Sequence, residues 1–139
     1  ATVNSNTLND YEEGNWTPRF EFGNWTYSTQ QGIYTIVGNV CTASLLLSWS
    51  NKSGTGQMEV RLPFLTGGVG EDRFCVSYGY LDGIDSDGNK QLIGTANGGG
   101  LNRFAIYYLN DNAQPSISLV QNAGVVGQLQ ASVTYQISP

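Results

Sequence analysis

From Leu129 to Ser138 the chain alternates without a break. Leu129, Ala131, Val133, Tyr135 and Ile137 fall on one side; Gln130, Ser132, Thr134, Gln136 and Ser138 fall on the other. A period of two belongs to a strand with one dry face and one wet face, and a helix cannot gather such a set on one stripe. This run commits the chain to an antiparallel sheet that packs one face on a core. Shorter stretches repeat the pattern. Met58, Val60 and Leu62 alternate with Glu59 and Arg61 up to Pro63. Phe74, Val76, Tyr78 and Tyr80 alternate with Cys75, Ser77 and Gly79, which predicts both tyrosines on the core side. Ile117 and Leu119 alternate with Ser116 and Ser118. Two runs, Val40 to Trp49 and Phe104 to Leu109, are apolar on both sides. Such runs need cover on both faces, from a second sheet or from another chain.

Turn-forming clusters separate the runs, at Gly38-Asn39, 51–56, 66–70, 82–89, 97–100 and 110–115. No amphipathic helix of ten residues is legible. Short strands at this spacing predict an all-β, jelly-roll-like antiparallel β-sandwich. With 139 residues there is room for one such domain.

Charge narrows the function. The chain carries 6 basic and 11 acidic residues, a net charge of −5, and its basic residues are scattered. Nucleic acids and anionic membranes need clustered Lys and Arg, so neither is an expected partner. No apolar run is long enough to insert in a membrane. There is no His, which excludes serine and cysteine triads and His-bound zinc sites. No cofactor motif is present; "ANGGGLN" at 96–102 is a loop among strands, not a phosphate cradle. Cys41 and Cys75 both lie in apolar runs and are expected to be buried free thiols rather than a disulfide.

One stretch breaks the low-charge pattern. "LNDYEEGNWTP", Leu8 to Pro18, places Asp10, Glu12 and Glu13 within four residues, then Gly14, Trp16 and Pro18. Adjacent residues on an extended chain point to opposite faces, so Glu12 and Glu13 cannot face one substrate as a glycosidase pair does. Their expected role is to pair with Arg or cap turns where the first segment docks.

The same stretch resembles a segment of bacteriophage tail fibres and tailspikes that leads into a C-terminal β-sandwich. The matching residues are Leu8, Asp10, Tyr11, Glu12, Glu13, Gly14, Trp16, Thr17 and Pro18, with Asn15 in place of the usual Thr. "YSTQQGIYTIVGN" at 27–39 and "RLPF" at 61–64 are similar to the same group. The motifs cover about the first half of the chain. The resemblance implies a homotrimeric, distal virion domain that helps the trimer assemble, contacts the host surface, or does both. The partners it implies are copies of the chain itself and bacterial cell-surface polysaccharide or lipopolysaccharide. The resemblance also implies the C-terminal part of a longer fibre or spike. The expected division is 1–14 as a docking segment from an upstream domain and 15–139 as the sandwich.

Sugars present apolar C–H faces and hydroxyls, so a glycan site needs rings together with amides or acids. The candidate glycan-binding residues are Trp25, Trp49, Tyr78, Tyr80 and Tyr107, with Asp82, Asp85 and Asp87 from an acidic loop. Tyr107 and Tyr108 alternate, so one of them faces something other than its own core. The loop 82–89 has part of a calcium-loop spacing at Asp85, Asp87 and Asn89. Lys90 stands where Gly is needed and Ala96 where the closing acid belongs, so no metal site is expected. No catalytic residues are assigned. Glu21, Glu59, Glu71, Asp72 and Asp82 remain the carboxylates that folding could bring together.

Overall fold

The computed structural model describes residues 11–67, 73–84, 92–97, 100–109 and 115–137. Nine strands follow one another: β1 (Tyr11–Trp16), β2 (Asn24–Val37), β3 (Val40–Ser53), β4 (Glu59–Arg61), β5 (Arg73–Asp82), β6 (Leu92–Asn97), β7 (Arg103–Tyr108), β8 (Ser116–Ile117) and β9 (Gly127–Gln136). All of them join one antiparallel sheet in the order β1-β2-β3-β9-β5-β6-β7-β4, with β8 on β7. A single 3-10 turn, Val120–Asn122, is the helical element among the described residues. The all-β antiparallel sandwich expected from the alternation is therefore what forms, made by one sheet curled over itself.

The curl almost closes. After β1 the chain crosses to the far edge, where Phe20 bridges Val60. Glu21 N–H donates to the Glu59 carbonyl at 2.8 Å, and Arg61 N–H donates to the Arg19 carbonyl at 2.9 Å. The sequence neighbours of one edge strand thus pair with the other edge strand, β4. The β2–β3 hairpin turns through Gly38-Asn39, with Gly38 at φ 63°, a conformation that favours glycine.

The dry rows meet inside. Leu129, Ala131, Val133 and Tyr135 of β9 are buried, as are Met58, Val60 and Leu62 around β4. In β3 the buried row is Cys41, Ala43, Leu45, Leu47 and Trp49. The outward row of that strand is Val40, Thr42, Ser44, Leu46 and Ser48, half-buried or exposed. The run from Val40 to Trp49 is thus less two-sided than it reads, because small hydroxyl residues separate the outward aliphatics.

Aromatic rings laid over glycines lock several strand pairs. Gly14 of β1 faces Tyr34 of β2, and Trp16 of β1 faces Gly32 of β2. A methyl group added at Gly14 would lie 2.6 Å from the Tyr34 hydroxyl, and one at Gly32 would lie 2.5 Å from the Trp16 indole nitrogen. Gly127 of β9 lies opposite Trp49 of β3, and its open side is filled by that ring. Gly94 of β6 lies beneath Tyr78 of β5 in the same way. A glycine in a strand costs packing, and a neighbouring ring that covers it restores the contact.

Two expectations are corrected. Cys41 is buried but Cys75 is exposed, because Phe74 and Val76 take the inward positions on either side of it. Tyr78 and Tyr80 do not share a face. A β-bulge lies between Tyr78, which pairs with Ala131, and Tyr80, which pairs with Gln130. The extra residue, Gly79, shifts the alternation by one, so Tyr80 joins the outer row of Gln130.

Candidate functional site

The acids of the opening motif lie in β1, and the sheet separates them as the extended geometry requires. Glu12 is on the inner side, where its Oε1 accepts the Tyr34 hydroxyl at 2.8 Å. Glu13 accepts the Tyr11 hydroxyl at 2.6 Å. Both phenols are held above their usual pKa, each chiefly by that hydrogen bond to a carboxylate. Tyrosines stand where arginine partners were expected: Tyr34, which the register sets opposite Gly14, holds Glu12, and Tyr11 of the same strand holds Glu13. Residues 11–14, expected in the docking segment, run inside β1.

The carboxylates that folding does bring together are Glu21 and Glu59, at the seam where the sheet closes. Arg61 donates to both oxygens of Glu21, at 3.0 and 2.9 Å. That bidentate contact holds the Glu21 carboxyl below its ordinary value. Glu59 Oε2 sits 3.2 Å from Arg103 Nε, a charge contact without hydrogen-bond geometry. Burial raises the Glu59 carboxyl, and Arg103 opposes the shift. Opposed shifts on adjacent acids are a pattern seen in acid–base pairs. Here each acid is engaged by an arginine, which is the pattern of a structural ion-pair seam.

The candidate glycan residues divide. Trp49 is 1% exposed, and its indole N–H donates to the Gly124 carbonyl at 3.0 Å. Trp25 stacks 4.2 Å from the Phe20 ring and 5.2 Å from Trp49, and its N–H donates to the Phe22 carbonyl at 2.7 Å. Both tryptophans serve the core: Trp49 has no surface to offer a ligand, and Trp25 offers only part of one. Tyr78 turns inward over Gly94; its hydroxyl is buried without a hydrogen-bond partner, and burial raises its pKa well above 10.0. Tyr107 and Tyr108 are both half-buried and alternate across β7, with Phe104 and Ile106 buried between them and the strand's start. Tyr80 is 50% exposed and Asp82 is exposed. Asp85 and Asp87, with the rest of the acidic loop, lie outside the described residues.

Register places the survivors at one end of the molecule. Asp82 pairs with Gln128 at the start of β9, and Leu92 pairs with Tyr108 at the end of β7. The end of β5, the end of β7 and the start of β9 therefore lie there. Gly124 N–H donates to the Gly83 carbonyl at 2.6 Å and ties two of them together. Val125 and Val126 are exposed beside this contact. Tyr11 pairs with Val37 beside the Gly38 turn, so the chain enters β1 at the opposite end.

Sequence reasoning missed a second surface, the outer face of β2, β3, β9 and β5. Here Ile33, Leu46, Gln31, Gln130, Ser77 and Ser132 line a shallow depression of about 520 Å³. Across β3 and β9, Thr42 and Thr134 hydroxyls lie 3.2 Å apart, and Ser44 and Ser132 lie 3.5 Å apart. The signal was present in the wet row of β9, whose members are amides and hydroxyls with no charge.

No protein-family model and no curated protein matches this chain. Among solved structures, its fold is similar to that of the Dettilon tailspike protein, with a TM-score of 0.76 and 15% sequence identity. The likeness covers 92% of this chain and 24% of that one, so the chain spans about a quarter of the tailspike's length. The nine described strands curled into one sandwich thus make a fold similar to part of a solved tailspike.

Proposed function

We propose that this chain is a domain of a phage tail fibre or tailspike, positioned distally on the virion, that forms a homotrimer and contacts the bacterial surface. The ligand class is polysaccharide or lipopolysaccharide. The observation that carries this reading is the tailspike fold over 92% of the chain, joined to the tail-fibre motif that forms β1. Asp82, at the last position of β5, and Tyr107, near the end of β7, are the sugar-facing candidates that the proposed contact between copies leaves open. Three shallow sites per fibre, and several fibres per particle, give strength through avidity rather than through one deep pocket. In this reading the domain binds without cutting, which the arginine contacts of Glu21 and Glu59 support.

The test has two parts. Light scattering reads the mass, expected near three times the 15.0 kDa chain, about 45 kDa. A glycan array of bacterial polysaccharides then reads binding, with Tyr107→Ala expected to weaken it about tenfold. A monomer that binds no bacterial glycan refutes the proposal. A purely structural cap is the second reading, favoured by the uncharged outer sheet face. A stable trimer that binds no cell or glycan selects it.

A further inference from the structure

Resting on the trimer reading, we infer that the outer face of β2, β3, β9 and β5 is where a second copy of this chain packs. The argument begins with charge. Strands β2 and β9 contain no charged residue, and β3 contains one, Lys52, whose ammonium is turned away to the Val120 carbonyl. The remaining charges stand at its margins: Glu13 in the edge strand, and Arg73 and Asp82 as the first and last residues of β5. For a chain of net charge −5, a face that bears acids repels its own copy. The opposite layer carries Glu21, Glu59, Arg61 and Arg103. The face that a copy can approach without burying a charge is therefore this one, and interface centres are depleted of charge in the same way.

The exposed apolar residues agree. Ile33 is 62% exposed, and Val37 and Val40 are exposed beside it. They are aliphatic, whereas a sugar face calls for rings, and Tyr80 is the aromatic residue on this surface. Short hydroxyl side chains between them keep the face low, so another backbone can come close. Four strands about 4.8 Å apart and about nine residues at about 3.3 Å give roughly 600 Å². That is the scale of the ~800 Å² that one partner contributes to a standard interface. The depression between Ile33, Leu46 and Gln130 is where a neighbour's side chain would seat.

Ile33→Arg and Gln130→Glu test the assignment, because both positions are exposed in the single chain and neither change should disturb its fold. Gln121→Arg, on an exposed residue of the 3-10 turn, is the control. Light scattering reads mass, and circular dichroism reads the fold. The expected result is that the first two variants dissociate at least tenfold more readily while Gln121→Arg stays trimeric. A wild-type trimer that survives both face variants overturns this inference and leaves the trimer reading intact. A wild-type monomer overturns both. Protection of the β2 and β9 amides from hydrogen exchange by added polysaccharide, in a monomer, would assign the face to glycan instead.

Discussion

The β1–β2–β3–β9 layer and the layer around β4 and β7 bury the same core by different means. The first uses strands of up to 14 residues, rings pressed on glycines, and an outer surface that among the described residues bears charge only at Glu13 of the edge strand. The second uses strands of 3 and 6 residues, stitched by ion pairs and by backbone bonds to connecting segments. Ring-on-glycine contacts leave no room for exchange, whereas exposed ion pairs can be lost at small cost. The first layer should therefore set stability, and the second should tolerate change.

The strongest way to break that comparison is Gly127→Val. The new side chain would collide with the Trp49 ring and lie 2.5 Å from the Asp82 carbonyl. Overpacking of this kind costs about 3 kcal/mol, near the upper end of its usual range, and should lower the melting temperature by roughly 10 °C. A loss below ~1 kcal/mol would mean that the ring can move aside, and that the layers do not differ as described.

Glu21→Gln probes the other layer with a smaller effect, under about 1 kcal/mol at neutral pH, because the pair is partly exposed. The sign with pH is defined. The Glu21 carboxyl is lowered in the fold from 4.5, so its contribution is present above that value and lost as pH falls through the folded value. Glu59 is raised, so its contribution runs the opposite way and weakens as pH rises past 4.5. Urea titrations at pH 3, 4 and 7 should show the wild type and Glu21→Gln converging in acid. Parallel curves would remove Glu21 from the seam.

The smallest perturbation is chemical labelling. Cys75 should react with a thiol reagent in the folded single chain, and be shielded where a second copy covers the outer face of β5. Cys41 is buried, with a thiol pKa raised by that burial, and should react only on unfolding. Equal reactivity would show that the core side of β3 opens as easily as the outer side of β5.

The sequence was legible in its longest alternations, but not at 116–119, where Ser118 is buried and Ile117 and Leu119 are only half-buried. In β9 and around β4 the dry row was the buried row, residue for residue. It failed at Tyr80 because one inserted glycine inverts every later side chain, and a period-two reading has no term for a bulge. Cys75 was misjudged from its apolar neighbours, although its place opposite Val76 already put it outside. The tryptophans show a different limit. Rings near loops suggested ligands, but their glycine partners lie up to 78 positions away, Trp49 against Gly127, and only the register reveals them. The uncharged outer face was visible in each strand alone. It became a surface only when β9 was found between β3 and β5.

That placement of β9 also shapes how the chain must be made. It is the last of the nine strands to be synthesised, yet it joins β3 to β5 at the middle of the sheet. Until it arrives, two long edges stand open, each able to pair with a stranger. Folding therefore waits on the most distant contacts, which is slow and leaves the nascent chain exposed to misassembly. A truncation that removes Leu129 onward would not yield a smaller domain. It would leave two sets of strands joined only at the β4 seam, with their shared core uncovered, and the cell would see an aggregate.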